Sequence, residues 1–280
     1  MGRVIVAGGA PNMTVPSNLP EIGTPLNDMT WAGIRAISDA GLASSYFNVG
    51  DRKAVTLNGT VGSLSLSGTY YCYIIGIDHN STIEGTNRIH FQLGKTALSG
   101  GTDVALCDSK YLSTVSATGY FSMNSSRTNS GGWESSQMRT NICGTSLTSY
   151  SGTIIEVIPA ELRAVLKPVT KYTNNTGNSS EASAVTATTD YFFLLSEYEV
   201  FGSISYANSN ESSKQAQYAY YSAGNSKIKY KHDGTSTAAS WGLRSPNASY
   251  SDSFGYVNTD GKVSISYANY SIGFAPGFCV

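Results

Sequence analysis

The chain has 280 residues, enough for one large domain or two modest ones with a substantial hydrophobic core. Hydrophobic residues make up 40% of the sequence but charged residues only 13%, so neutral polar groups must cover much of the surface. The formal net charge is -1, and there is no lysine or arginine run of the kind that binds nucleic acid or anionic membranes. We therefore expect no nucleic-acid partner.

The first residues predict an extended arm. The segment 8–27 mixes glycine and asparagine with half of the eight prolines, a composition that disfavours helix: Pro11, Pro16, Pro20 and Pro25. The apolar stretch within residues 1–10 is broken by two glycines and is too short for a signal peptide or a membrane-spanning helix. We expect residues 1–27 to form an arm, and the protein to be made in the cytoplasm without export or membrane insertion.

The next segment predicts one amphipathic helix followed by a sheet. Trp31, Ile34 and Ile37 recur at helical spacing, and Gly41 suits the end of the helix. The run KAVTLNGTVGSLSLSG alternates apolar and polar residues, which predicts a half-buried hairpin. The nearly continuous apolar run TYYCYIIGIDHN predicts a central strand, and NRIHFQLG continues the sheet.

The second half of the chain mixes predicted helices and strands. GGWESSQMRTNICG and IPAELRAVLKPVTKYT favour a second and a third helix, which we expect to form the helical core. Residues 174–189 are polar and predict an exposed loop, whereas DYFFLLSEYEVFG predicts a buried strand and turn. SFGYVNTDGKVSISYA has the pattern of a hairpin. The expected fold is α+β, with antiparallel sheets, a few short helices and long loops in a single domain over residues 28–280.

The candidate catalytic and metal-binding residues are few. The four cysteines have no CxxC spacing, which favours reduced, structural thiols: Cys72, Cys107, Cys143 and Cys279. His79, Glu84 and His90 lie close together in sequence, but Asp-His-Asn-Ser at the end of a strand is typical of a turn. The chain has only three histidines and none of the common catalytic motifs. We expect no catalytic residue, no metal and no cofactor.

Five segments, in this order, resemble a family. They are W..I..ISDAG, GGWESSQMR, DYFFLLSEYEVFG, WGLRSP and GFAPGFCV, beginning at Trp31, Gly131, Asp190, Trp241 and Gly273. Together they resemble a bacterial and phage domain family of unknown function, over roughly residues 27–280. The resemblance implies structural roles for Trp31, Trp133, Arg139, Glu197, Trp241, Arg244, Pro246, Gly273 and Pro276.

The resemblance also carries expectations about fold and origin. Such proteins are common in prophages of Gram-positive gut bacteria, which implies a role in the virion. The terminal motifs are similar to the end of C-type-lectin-like domains, which implies that fold by analogy. The closing motif has Ala275 where the family usually has arginine, so any salt bridge made by that arginine is missing here. The calcium-binding signatures of sugar-binding lectins are also missing, so the resemblance implies no calcium site.

The motif residues include charges that must be paired if they are buried. Ser196, Glu197 and Glu199, and also Glu134 with Arg139, have the pattern of buried or half-buried polar anchors. We expect one of these carboxylates to bind Arg244 and others to accept hydrogen bonds from backbone amides. A fully exposed Arg244 would contradict this prediction.

Tyrosine is the most distinctive residue of the sequence, with 19 copies against three tryptophans. Tyrosine with serine, glycine and asparagine is the composition of adaptable contact surfaces. We expect the contact residues to be Tyr206, Tyr218, Tyr220, Tyr221 and Tyr230. The alternative is that these tyrosines lie on a sheet face or are buried against a neighbouring subunit.

The expected function is that of a non-enzymatic structural protein of a bacteriophage particle, located in a tail fibre or baseplate and binding a host-surface glycan or protein. The alternative is a capsid decoration or head-fibre protein. A cell-wall glycan hydrolase has the least support, because no acid and base pair can be named. The expected partners are other virion proteins, bound through the arm, and further copies of the chain in a homo-oligomer.

Overall fold

The computed structural model describes residues 3–5, 13–15, 19–96, 101–111 and 117–280. In these ranges the chain is a mixed α+β structure with mostly antiparallel sheets and short helices, as the sequence predicts. The strands are β1 Arg3–Ile5, β2 Met13–Val15, β3 Arg52–Val61, β4 Leu64–Ile77, β5 Ile89–Lys95, β6 Val104–Ala105, β7 Val169–Asn174, β8 Val185–Asp190, β9 Phe192–Phe193, β10 Lys229–Lys231, β11 Gly234–Ala239, β12 Trp241–Pro246, β13 Ser253–Val257, β14 Val263–Tyr267 and β15 Gly277–Cys279.

The helices are short. They are α1 Trp31–Asp39, α2 Ala43–Tyr46, α3 Ser81–Glu84, α4 Ile154–Val157, α5 Ala160–Arg163, α6 Glu197–Phe201 and α7 Ala219–Ser222. A π-helix covers Met138–Cys143, and 3-10 turns cover Leu26–Asp28, Ala182–Ala184 and Ser209–Ser213. No helix in the described ranges has the length and apolar character needed to cross a membrane.

The beginning of the chain contains a small ribbon. Strands β1 and β2 pair antiparallel with each other as a separate two-stranded sheet. The rest of the predicted arm before Leu19 lies outside the described residues. From there the chain packs on the domain: the Tyr46 hydroxyl donates to the Pro20 carbonyl at 2.8 Å, and Leu26 is buried in the core.

Helix α1 confirms the first predicted helix. The Thr30 side chain caps it by accepting a hydrogen bond from the Gly33 amide at 3.1 Å. Its apolar face is buried, and Trp31 makes an edge contact with Phe91 at a ring separation of 5.6 Å. Gly41 follows the helix with φ +69°, a conformation that glycine adopts without strain. The repeating apolar residues therefore attach α1 to the main sheet.

The main sheet has five strands in the order β3-β4-β5-β15-β9, and all the pairings are antiparallel. The predicted hairpin is confirmed as β3 and β4, although β4 continues without a break into the predicted central strand. Strand β15 lies inside the sheet, between β5 and β9. The last residues of the chain therefore hold two distant segments together.

The remaining strands form three smaller sheets, with the orders β11-β10-β6, β12-β13-β14 and β7-β8. The hairpin predicted near the end of the chain is confirmed as β13 and β14. The prediction of an exposed loop over residues 174–189 is wrong at its end, because β8 pairs with β7 along all of its six residues. The polar sequence of β8 fits this position, since several of its side chains face solvent.

The predicted helical core is confirmed only in part. The segment around Trp133 forms a turn and then the π-helix, and the third predicted helix is reduced to the four residues of α5. The WGLRSP motif is the buried strand β12. The predicted strand at DYFFLLSEYEVFG divides into the short β9 and the helix α6. Tertiary packing overrides local helical periodicity in these segments.

Candidate functional site

A buried ion pair joins two of the motifs. Arg244, on β12, donates to both carboxylate oxygens of Glu199, on α6, with an Nη2 to Oε1 distance of 2.9 Å. Its other donors bind the Thr173 hydroxyl at 2.8 Å and the Leu194 carbonyl at 2.9 Å. Both Arg244 and Glu199 are fully buried. The prediction that Arg244 binds a carboxylate is confirmed.

A second cation completes this cluster, which we call the ion network and define as Glu84, Lys171, Glu199 and Arg244. The Lys171 ammonium donates to Glu84 at 2.7 Å, to Glu199 at 2.9 Å and to the Tyr218 hydroxyl at 2.8 Å. Two carboxylates and two cations are therefore enclosed together. Such charges can remain in a protein interior because each one is paired and hydrogen-bonded.

Two histidines flank the ion network. The His79 ring stacks on Tyr218 at 3.7 Å, and its Nε2 lies 3.8 Å from Glu84. The Nδ1 atom of His90 lies 3.1 Å from the Tyr218 hydroxyl and 3.2 Å from the sulfur of Cys279. Burial, reinforced by the nearby Lys171 ammonium, lowers the pKa of His79 to about 3 and places that of His90 well below its usual value. Both rings are therefore neutral at physiological pH.

The two carboxylates of the ion network have opposite shifts. Burial raises the pKa of Glu84 to about 7, against the partial opposition of Lys171. Burial also acts on Glu199, but the charges of Arg244 and Lys171 outweigh it and hold its pKa well below the usual range. The cations thus keep Glu199 ionised, whereas the pKa of Glu84 lies close to neutral pH.

His79, Glu84 and His90 are close in sequence, and the structure places both histidines within 3.8 Å of Glu84. Ligand atoms of His79, Glu84 and Glu199 lie within 4.8 Å of one another, a spacing that could hold a metal ion. However, the Lys171 ammonium already binds both carboxylates, so a metal ion held by both would have to displace it. All of these side chains are also buried. The arrangement therefore fits a structural network better than a centre open to substrate.

The turn before α3 and the third histidine are held by hydrogen bonds. Asp78 and Asn80 both have φ +48°, and the Asp78 carboxylate accepts from the Arg88 amide at 3.0 Å, which is the predicted turn chemistry. His232 lies elsewhere and accepts from the Cys107 amide at 3.2 Å. All four cysteines are unpaired and buried, as expected of structural thiols.

Glu197 fixes a loop that displays a tyrosine. Its buried carboxylate accepts hydrogen bonds from the backbone amides of Ser205, Tyr206 and Ala207, with a distance of 2.8 Å to Ala207. Burial raises the pKa of Glu197, and these three amides oppose the shift. The loop carries Tyr206, whose side chain is 37% exposed. Glu197, predicted to bind backbone amides, therefore positions Tyr206, one of the predicted contact residues.

A second loop, which sequence reasoning missed, displays Tyr250. The Asn129 side chain donates to the carbonyls of Asn247, Tyr250 and Ser253 at 2.8–3.1 Å. The Asn247 side chain accepts from the amide of Tyr250 at 2.8 Å. Tyr250 is 61% exposed. Asn247 directly follows WGLRSP, and this Asn-Ala-Ser-Tyr sequence after a strand was the available signal.

The two loops are joined to each other. The amide of Ala248 donates to the Tyr206 carbonyl at 2.9 Å. Nearby, Arg127 binds Asp252 at 2.8 Å and places its guanidinium over the Tyr267 ring at 3.3 Å. We call residues 205–208 and 247–252 the tyrosine loops. They present two exposed aromatic rings on backbone that many hydrogen bonds hold in place.

Three of the five predicted contact tyrosines are buried, so that part of the prediction is wrong. Tyr218 belongs to the surroundings of the ion network, as described above. The Tyr220 hydroxyl binds Lys95 at 2.7 Å, and the Tyr221 hydroxyl donates to Gln92 at 2.6 Å. Their hydroxyls serve partners inside the protein, which allows large tyrosine rings to enter the core. Tyr230 is half-buried on β10.

The other motif residues hold segments together. The Trp133 ring nitrogen and the Arg139 guanidinium both donate to Asp190, at 3.0 and 2.6 Å, whereas Glu134 is exposed and is not the expected buried anchor. The Trp241 ring nitrogen donates to the Lys227 carbonyl at 2.9 Å. Pro246 is paired with Phe254 across β12 and β13. The Pro276 carbonyl accepts from the Leu93 amide at 3.0 Å. At Gly273, a Cβ atom would lie 2.6 Å from the Ser240 carbonyl, so only glycine fits.

Comparison with known proteins gives one match. A family model described as a domain of unknown function, DUF6273, matches residues 103–280. The match includes four of the five segments that suggested a family, and Trp31 lies before it. No curated protein and no solved structure matches the chain. Because the matched residues make up more than half of the sequence, the chain belongs to the DUF6273 family of uncharacterised domains.

Proposed function

We propose that this protein is a non-enzymatic structural protein of a bacteriophage particle that uses its tyrosine loops to bind a glycan or protein on the host surface. One observation carries the proposal. Tyr206 and Tyr250 are the exposed aromatic residues of two loops that are joined by a backbone hydrogen bond and held by buried Glu197 and Asn129. Ordered loops with exposed tyrosines are typical of recognition surfaces.

The rigidity of these loops supports binding in a specific way. Association costs free energy for every side chain and loop that becomes ordered, and loops that are already fixed avoid much of that cost. Tyrosine supplies a large contact area with little rotamer entropy to lose. The tyrosine loops therefore combine a pre-ordered backbone with side chains suited to contact neutral polar groups such as sugars.

The non-enzymatic part of the proposal is supported by the location of the titratable groups. Enzymes concentrate groups with shifted pKa values in clefts that substrate can reach. Here Glu84, Glu199, His79 and His90 are enclosed, and their partners are Lys171, Arg244 and Tyr218. The two carboxylates of the ion network are enclosed, whereas a glycan hydrolase needs accessible carboxylates on either side of a bound sugar.

The virion location and the C-type-lectin-like fold remain part of the proposal. The family resemblance supports the first. The second is supported by the order of the last elements, in which WGLRSP forms a strand, a hairpin follows, and the closing strand returns to the main sheet. An experimental structure compared with lectin-like domains would test the fold. Electron microscopy of intact particles would locate the protein and count its copies. A few copies at the tail tip are expected of a host-binding protein, and many copies on the capsid are expected of a decoration protein.

The binding proposal is tested with Tyr206→Ala/Tyr250→Ala in the full chain. We expect at least a tenfold loss of binding to a panel of purified Gram-positive cell walls and cell-surface glycans, with unchanged thermal unfolding. Tyr120→Ala is the matched control, because Tyr120 is 52% exposed and lies outside these loops. Equal binding by the double variant and the wild type would overturn the assignment of the loops, and release of reducing sugar would overturn the non-enzymatic reading.

A further inference from the structure

The first strand of the main sheet has an open outer edge. Strand β3 pairs with β4 on one side only, in the sheet order β3-β4-β5-β15-β9. The Ala54 amide points away from β4, since it donates to the Asn27 side chain at 2.8 Å. Backbone groups alternate in direction along a strand, so those of Thr56 and Asn58 point to the same outer side. The backbone N–H groups of these two residues have no hydrogen-bond partner among the described residues.

This open edge is bounded at both ends. The segment around Asn27 occupies it at Ala54, and at the far end the Gly62 amide donates to the Gly152 carbonyl at 3.3 Å. Between them lies a groove of about 700 Å³, with β3 as one wall and the start of α1 and the α4–α5 segment as the others. An open sheet edge is a template for pairing with another strand, and most proteins cover or shorten it.

The groove has a net negative character. Asp28 and Glu161 line it and are both exposed. Lys53 lines it too, but its ammonium is engaged by the carbonyls of Asn27 at 3.1 Å and Met29 at 2.5 Å. With one cation against two acidic groups, the groove keeps a net negative charge toward an incoming segment. A strand that enters this groove should be neutral or basic, because like charges would repel.

Residues 1–18 have the required chemistry. Arg3 is their one charged side chain, and Val4, Ile5 and Val6 form a run with high strand propensity. The chain also leaves the domain beside the groove: the Pro20 ring lies 3.1 Å from the position of a Cβ atom on Gly33, in the first turn of α1. The ribbon segment thus complements the open edge in charge and in strand propensity, and the described chain at Pro20 lies beside the groove.

The β1–β2 ribbon provides the strand. A two-stranded ribbon is marginal on its own and gains stability by joining a larger sheet. Among the described residues, β1 and β2 pair with each other, and the outer edge of β3 has no strand paired to it. Each ribbon strand has three residues, which matches the short open part of β3. We propose that the open edge of β3 binds the β1–β2 ribbon of a second copy of this chain.

The proposal is independent of the tyrosine loops and gives the protein a self-association surface. The ribbon adds antiparallel or parallel to β3 by main-chain hydrogen bonds, the mode known as β-augmentation. The positive charge of the ribbon segment then complements the acidic groups Asp28 and Glu161. The main sheet of one copy is extended by strands from its neighbour.

The test uses full-length chains and two proline variants. Thr56→Pro removes the N–H group of Thr56 at the open edge, and Ile5→Pro removes an N–H group from strand β1 of the ribbon. We expect the wild type to associate in sedimentation velocity at micromolar concentrations and each variant to lose at least tenfold in affinity. Thr56→Val, which keeps the N–H group, is the matched control and should associate like the wild type.

Mixing the variants identifies the occupant. Thr56→Pro chains keep an intact ribbon and Ile5→Pro chains keep an intact edge, so their mixture should form one-to-one heterodimers although each is monomeric alone. A wild type that stays monomeric, association that survives both substitutions, or a mixture of two folded variants without heterodimers would each overturn the proposal. If Thr56→Pro does not fold, the charge reversal Arg3→Glu in the ribbon must weaken association at low salt, and its failure to do so would overturn the proposal.

Discussion

The ion network and the tyrosine loops use polar residues in opposite ways. In the ion network, charged side chains bind one another, and the most reactive groups are buried. In the tyrosine loops, buried polar side chains bind the backbone, so that neutral aromatic rings remain free at the surface. The first arrangement fixes the core, and the second fixes a surface. The titratable side chains of the ion network therefore lie in the interior, whereas the proposed contact residues Tyr206 and Tyr250 lie at the surface.

Removing the cation that links both carboxylates should have the largest effect. Lys171→Met leaves Glu84 and Glu199 buried without their shared partner, and breaking a buried pair in this way costs about 3–5 kcal/mol. The measurement is the free energy of unfolding from urea denaturation, compared with the wild type. Glu84→Gln combined with Lys171→Met should recover part of the loss, because it removes the unpaired charge. A cost below about 1 kcal/mol would show that the network does not depend on this cation.

The pH dependence of stability should show a large contribution from Glu211, near the ion network. Burial raises the pKa of Glu211 to about 7, although the amide of Asn174 and the hydroxyl of Ser245 bind the carboxylate and oppose the shift. The folded state thus holds a proton that the unfolded chain releases near pH 4.5. This contribution is fully present below about pH 4.5 and is lost as the pH rises through about 7. Since each pKa unit corresponds to about 1.4 kcal/mol, the change is on the order of 3–4 kcal/mol.

Comparison with Glu211→Gln isolates this effect. Neutral glutamine does not titrate, so the difference in unfolding free energy between wild type and variant should fall from pH 4.5 to pH 7. The comparison is needed because His79 and His90 have lowered pKa values, which makes stability rise with pH below about 6.5. A difference that is constant with pH would show that folding does not raise the pKa of Glu211.

The support of the tyrosine loops should be weaker but measurable. Glu197→Ala leaves three backbone amides without their acceptor, which costs about 1–3 kcal/mol if they stay buried. We expect faster amide hydrogen exchange at Ser205, Tyr206 and Ala207. Glu134→Ala is the control, since Glu134 is exposed and should change neither stability nor exchange. Unchanged exchange in Glu197→Ala would show that the loop is held by other contacts.

The sequence predicted the parts of the fold in which one periodic pattern decides the structure. Trp31, Ile34 and Ile37 gave α1, and the alternating run after residue 52 gave β3 and β4. It failed around Trp133, where the apolar spacing fits a helix but the ring nitrogen is held by Asp190, from a distant strand. A pattern of residue types cannot report a hydrogen bond that forms only after tertiary packing.

The candidate site divides in the same way. Arg244 was correctly expected to bind a carboxylate, because a buried guanidinium must be paired whatever the fold. The tyrosines were harder to assign, since Tyr206 and Tyr221 have the same chemistry and differ in whether the fold supplies an inner partner such as Gln92. Tyr250 was missed because its exposure depends on Asn129, more than a hundred residues away in sequence.

The smallest expected effect is at the edge of the tyrosine loops. Arg127 binds Asp252 and covers the ring of Tyr267, but the guanidinium is about half exposed, and exposed ion pairs contribute roughly 0–1 kcal/mol. Arg127→Ala should therefore change the free energy of unfolding by less than about 1 kcal/mol at low salt, and by less still at high salt. Arg127→Lys, which keeps the charge, is the matched variant. If both variants lose more than about 1 kcal/mol of unfolding free energy, the effect comes from the planar guanidinium stacked on Tyr267. A loss comparable to that of Lys171→Met would contradict the contrast between an interior fixed by charges and a surface fixed by backbone hydrogen bonds.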